Sequence, residues 1–145
     1  MDLLDESVPF FQQAMMANPA HAGSHNAVAR MLYGKNRVPC ILAFLRFFSL
    51  EPQGTRAEGN LVILRELLGQ NIQKGKKNTI ILNLDEDIVP DTLEDGTILP
   101  NDFATVNLML SFQGLFLFDK ENKKKSEVEK FKATLDMMCT TMQEG

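Results

Sequence analysis

The stretch Asn18–Pro52, NPAHAGSHNAVARMLYGKNRVPCILAFLRFFSLEP, decides the fold. It holds two helical patterns joined by a tight turn, and a proline stands at each boundary. Val28, Met31 and Leu32 recur at helical spacing over positions 22–33, and Gly34, Lys35 and Asn36 form the stop. Pro39 falls in the first turn of the next helix, where its missing N–H goes unneeded, and that helix runs to about Leu50. Within it Val38, Cys40, Ile41, Ala43, Phe44, Phe47 and their neighbours leave almost no polar face, so it must be covered on several sides.

Upstream, Leu4, Val8, Phe11 and Met15 mark an amphipathic helix from Leu3 to about Ala17 that ends at Asn18-Pro19. Downstream, Glu51-Pro52-Gln53-Gly54 breaks the chain. Thr55 with Glu58 is a capping-box signature for a fourth helix whose stripe is Leu61, Leu64, Leu68 and Ile72. After Lys74, Lys76 and Lys77, the alternation of Ile80, Leu82 and Leu84 reads as a half-buried strand with no obvious partner. Seven acidic residues between Asp85 and Asp102, with Pro90, Gly96 and Pro100, make a loop. A fifth helix over 102–118 is apolar nearly all round. Ser126 with Glu129 is a second capping box, opening a sixth helix with Val128, Phe131, Leu135, Met138 and Met142 on one face. Helices five and six are expected to form an antiparallel hairpin. The expected class is therefore all-α, with at most one or two short strands. The expected organisation is a helical segment over 1–73, an extended acidic linker over 74–101 and a C-terminal helical hairpin over 102–145 packed on the first segment as one compact unit.

Composition agrees with a globular chain: 145 residues, 44% apolar and 23% charged. Fifteen Lys and Arg against nineteen Asp and Glu give a net charge of -4, which offers no electrostatic footprint for nucleic acid. No run of 18 apolar residues is present to span a bilayer, and Met1-Asp2-Leu3-Leu4-Asp5-Glu6 lacks the basic flank of a signal peptide. Any export signal would lie outside this chain, which leaves cytoplasm and periplasm both open. Cys40 and Cys139 stand in apolar stretches and read as buried thiols rather than a disulfide framework.

An internal period emerges when Pro19 is superposed on Pro52. Each closes a helix with a small residue twelve positions earlier (Ser7, Cys40) and an aromatic eight positions earlier (Phe11, Phe44). The small residue admits a neighbouring helix and the aromatic fills the space beside it. Asn18–Pro52 resembles one complete tetratricopeptide unit, with Val28 and Ala29 in its first helix and Cys40, Phe44 and Glu51-Pro52 in its second. Ser7, Phe11, Ala14 and Asn18-Pro19 resemble the second helix of a preceding unit. The prolines lie 33 apart where the family has about 34, the shortening falling in the Gly34–Arg37 turn. Phe47 stands where a small residue such as Ala14 is usual, and His25 replaces a bulky aromatic. In the fourth helix Leu61 fits but Val62 replaces a small residue, so Thr55–Ile72 reads as a modified or capping helix. The Ser-Leu-Glu-Pro ending, the acidic linker and the Asn107–Ser111 segment are also similar to uncharacterised bacterial tetratricopeptide proteins. Because the first helix arrives without a partner and a solenoid normally needs about three repeats, the resemblance implies a piece of a longer array.

The resemblance implies a concave face formed by Asn26, Arg30 and Tyr33 on the second helix and Arg56, Ile63 and Glu66 on the fourth. Related proteins hold extended peptides in this groove, where Asn and Arg can grip a carboxylate or a peptide backbone. A solvated face is the plain alternative. The expected function is thus a non-enzymatic protein-interaction or scaffold module with a protein or peptide partner, no cofactor, and an unpaired first helix that favours homo-oligomers. A rival is a small helical bundle binding a ligand or metal between helices three and five, lined by Cys40, Met109 and phenylalanines. A third reading places a catalytic half elsewhere in a longer chain.

Other chemistry is thinly signalled. His21 and His25 have the i, i+4 spacing that can place two imidazoles on one metal, yet no acidic base stands between them and no third ligand is identifiable. Packing and turn roles are the simpler expectation. The acidic stretch of Asp85, Glu86, Asp87, Asp91, Glu94 and Asp95 lacks the ordered spacing of a calcium loop. Gly69–Lys77 has Lys77 in place of the Ser or Thr of a phosphate loop, and a helix leads in where a strand is needed. Neither cysteine has a neighbouring base to make it a nucleophile. Met15-Met16 and Met137-Met138 read as core filler before an adaptable binding surface.

Overall fold

The computed structural model describes residues 3–69, 72–74, 79–82, 94–97, 101–116 and 122–144. The chain divides into two compact units, 1–68 and 69–145. The described residues are mostly helical, as expected, with one pair of short strands.

In the first unit, α1 (Leu3–Ala17) packs on α2 (Ala22–Leu32), and α2 packs on α3 (Arg37–Leu50). Pro9 lies inside α1, so that turn lacks one backbone hydrogen bond. His21 caps α2 by accepting the Ser24 N–H at Nδ1, and Tyr33 follows the last turn with its N–H on the Ala29 carbonyl. Gly34 then takes a positive φ of 78°, which a residue with a Cβ rarely adopts, while Lys35 and Asn36 both donate to the Leu32 carbonyl. α3 begins at Arg37, placing Pro39 in its first turn. Cys40, Ile41, Phe44 and Phe47 of α3 are fully buried. Each large apolar side chain among them stabilises the unit by roughly 1.5–3 kcal/mol relative to exposure.

α4 (Thr55–Gly69) corrects three expectations. Its first hydrogen bond runs from the Glu58 N–H to the carbonyl of Gly54, so Thr55 is already the first helical residue and Gly54, at φ 106°, turns the chain into it. Its buried positions are Ala57, Asn60, Leu64 and Leu67, whereas Leu61 is exposed. The stripe is rotated because a buried asparagine, not a leucine, occupies one place on the inner face. The helix also stops at Gly69. Ile72, expected as its last apolar position, is the first residue of β1.

In the second unit β1 (Ile72–Lys74) pairs antiparallel with β2 (Ile80–Leu82), in the register Ile72 to Leu82, Gln73 to Ile81 and Lys74 to Ile80. The strand without an obvious partner in the sequence thus pairs with residues just upstream of it. α5 (Ala104–Phe116) meets both strands and packs on α6 (Glu127–Glu144). α5 is not covered on all sides: Met109 and Phe112 are exposed, while Asn107 and Ser111 are buried with Val106 and Leu110. Ser111 Oγ donates to the Asn107 carbonyl, which removes its need for solvent. At the start of α6 the expected capping box forms: the Ser126 N–H donates to Glu129 Oε2 at 2.7 Å, and the Glu129 N–H donates to Ser126 Oγ at 3.3 Å. The Ser126 N–H, and then the Ser126 hydroxyl, both donating to Glu129 Oε2, hold the Glu129 carboxyl below the ordinary glutamate range. Of the expected inner face of α6, Met138 is buried but Val128, Phe131 and Met142 stay exposed. Cys139 is exposed too, which overturns its reading as a buried thiol.

Candidate functional site

The residues expected to line a groove lie on α2 and α4. Asn26, Arg30 and Tyr33 follow the i, i+4, i+7 spacing of one helical face, as Arg56, Asn60, Ile63 and Leu67 do on α4. The two faces meet through a side-chain relay. Arg30 Nη2 donates to Asn60 Oδ1 at 2.9 Å, and Asn60 Nδ2 donates to Asn26 Oδ1 at 2.7 Å. Asn60 is 0% exposed, whereas Arg30 is exposed and Asn26 half-buried.

Further along, Tyr33 stands beside Glu66, whose hydrogen bonding raises the phenol, and Arg37 Nε donates to the Leu67 carbonyl at 2.9 Å. From Arg30 in α2 to Arg37 at the start of α3 the partners advance from Asn60 to Leu67, so α2 with the turn that follows it runs in the same sense as α4. The Glu66 bond is the main reason the Tyr33 phenol is held above its ordinary value, with desolvation and the charge of Glu66 adding to it.

Arg56 is placed differently from the expectation. Its guanidinium forms a bidentate ion pair with Glu51, in the bend between α3 and α4, and lies 6.0 Å from the centroid of the Phe47 ring. It covers the core at Phe47 rather than joining Arg30. Ile63 is half-buried on the Asn60 side of α4. The cluster the structure brings together is therefore Asn26, Arg30 and Asn60, with Tyr33 and Glu66 beyond them. Sequence reasoning passes over Asn60 and Arg37. The available signal is a polar residue interrupting the Ala57, Leu64 and Leu67 stripe at its own spacing.

The remaining candidates have separate roles. His21 Nδ1 is engaged by the Ser24 amide and lies 2.8 Å from Ser24 Oγ, whereas His25 Nε2 donates to the Pro19 carbonyl at 3.0 Å. His25 Nδ1 is buried and finds no hydrogen-bond partner among the described residues. Each ring thus tends its own stretch of backbone at the start of α2. Cys40 Sγ donates to the Ala29 carbonyl at 3.0 Å, and burial pushes its thiol up to about 12. Among the described residues no group of three or more His, Cys, Asp or Glu gathers as a metal site, and no helix is long and apolar enough to cross a membrane.

Of the acidic stretch, Asp85, Glu86, Asp87 and Asp91 lie outside the described residues. Asp95 accepts the Thr97 N–H at 2.9 Å beside Gly96, a bond that lowers its carboxyl. The phosphate-loop look-alike falls on the end of α4 and β1, with Gly75, Lys76 and Lys77 outside the described residues.

Comparisons with protein-family models, with curated proteins and with solved structures found no match to this chain.

Proposed function

We propose that the chain is a non-enzymatic interaction module of the tetratricopeptide type that holds an extended polypeptide across the shared face of α2 and α4. The observation that carries this reading is the Asn26–Asn60–Arg30 relay between two helices running in the same direction. Such a joint sets two helices side by side with a third returning between them, which is the arrangement a stack of helical hairpins requires. Arg30 spends a donor on Asn60 yet remains exposed, so its planar fork is pre-oriented toward a carboxylate or a peptide carbonyl. Tyr33 and Glu66 supply an aromatic surface and an acceptor one turn further on.

Selection from a displayed library of random peptides tests this. The wild-type chain is expected to enrich peptides sharing a short motif. Arg30→Ala and Tyr33→Ala, checked for unchanged helicity, are each expected to weaken the selected peptide by about tenfold or more. Failure to enrich any motif, or equal binding by both variants, overturns the proposal.

A further inference from the structure

A polypeptide lying across α2 and α4 meets two charges of opposite sign, and what it must carry follows from where they stand, a step that rests on the interaction reading just given. The cation is Arg30, exposed and held from behind by the fully buried Asn60 at 2.9 Å. The anion is Glu66, exposed beside Tyr33. Among the described residues neither charge is neutralised by an ion pair. Arg30 commits one of its five N–H donors to Asn60, and a carboxylate keeps lone pairs to spare beside a single phenol.

The other charges of α4 are placed differently. Arg56 is already paired with Glu51. Glu58 and Arg65 stand about 160° and about 140° round the helix from Asn60, toward its outer side. Ile63, half-buried, lies midway in sequence between Asn60 and Glu66, so an apolar side chain separates the cation from the anion. Asn60 and Glu66 are about 9 Å apart along the axis of α4, and Arg30 and Tyr33 about 4.5 Å apart along α2. In an extended chain, side chains two residues apart share one face at a spacing of about 6.7 Å, which falls between those two values.

We propose that the segment this face binds is an extended peptide with an acidic and a basic side chain two residues apart, the acidic one on Arg30 and the basic one on Glu66. The guanidinium fork of Arg30 receives a carboxylate in its plane, and the carboxylate of Glu66 receives an ammonium or guanidinium group. The stem of that basic side chain lies along the Tyr33 ring, and the stems of both residues cover Ile63. Wholly acidic and wholly basic segments are rejected alike, because each sets a like charge against one end of the site.

The test extends the peptide selection to Glu66→Gln and Glu66→Lys, both at an exposed position, with thermal melts to check folding. Wild type is expected to enrich peptides with an acid and a base two residues apart. Glu66→Gln keeps an acceptor beside Tyr33 but not the charge, and is expected to lose the preference for the base while retaining that for the acid. Glu66→Lys is expected to select an acid at both places; should it fail to fold, Glu66→Gln decides alone. On wild type, exchanging the base of a selected synthetic peptide for an acid is expected to weaken binding by about tenfold at low salt and by less at high salt. A shared motif without the acid and base two residues apart, or an unchanged preference in the folded variants, overturns this inference and leaves the groove standing. No shared motif at all removes the groove and this inference with it.

Discussion

Replacing Asn60 with alanine removes the one side chain that ties α2 to α4 through both its amide atoms. The amide is fully buried, accepting from Arg30 at 2.9 Å and donating to Asn26 at 2.7 Å. A neutral hydrogen bond contributes about 0.5–1.5 kcal/mol net, and one to a charged donor about 1.5–3 kcal/mol. Arg30 is exposed and recovers water when its acceptor goes, so its share falls at the low end; Asn26 is half-buried and recovers less. The expected loss is about 2 kcal/mol, which lowers the urea midpoint by about 2 M at a slope of about 1 kcal/mol/M for a small unit. Tyr33 is the sole tyrosine and the chain has no tryptophan, so tyrosine emission follows the first unit alone. Asn26→Ala and the double variant complete a cycle whose coupling is expected near 1 kcal/mol. A midpoint within about 0.5 M of wild type, or strict additivity, refutes the relay as a structural joint.

Three further outcomes are expected. The Tyr33 phenol is raised in the folded state, so its contribution to stability is present below the ordinary value of 10.0 and is lost as pH rises through the folded value. Its phenolate absorbance should therefore titrate above 10.0 and move back toward it in Glu66→Gln; an unmoved midpoint denies the contact. A thiol reagent on the folded protein should modify Cys139 and spare Cys40, which is buried with its thiol pushed up to about 12; rapid labelling that persists in Cys139→Ser contradicts the burial. Gly34→Ala should cost about 1 kcal/mol from its positive φ alone, since open space surrounds it, whereas Gly59→Ala inside α4 should stabilise by about 0.5–1 kcal/mol. Equal effects at the two glycines in thermal melts count against both assignments.

The helices of the first unit are legible because their boundaries are chemical. Pro19, Gly34 and Pro52 each forbid continuation, and the Ser126–Glu129 box announces α6 by two reciprocal bonds within one turn. Faces are harder to read than lengths. Asn60 counts as polar in any apolar pattern, yet it lies inside because Asn26 and Arg30 satisfy it, and that satisfaction comes from residues about thirty positions away. Spacing alone therefore puts the stripe of α4 on Leu61, one position off. Ile72 continues the leucine spacing of α4, and only its pairing with Leu82 withdraws it into a strand. In the candidate site, the α2 side is legible from Asn26, Arg30 and Tyr33 sharing one face. Arg56 is not, because the pull of Glu51 and the Phe47 ring is a property of how the bend folds rather than of spacing.

The amide relay also serves as a ruler. Asn26 and Arg30 are one helical turn apart and converge on a single side chain, so α4 cannot slide along α2 by a residue without breaking one of the two bonds. An extra residue in the Gly34–Asn36 turn can loop outward and leave that measure untouched. An extra residue in α4 ahead of Asn60 would swing the amide by about 100° and present Gly59 or the inserted residue to Arg30 instead. Changes of length in this unit are therefore confined to its turns, and the helices keep a fixed count.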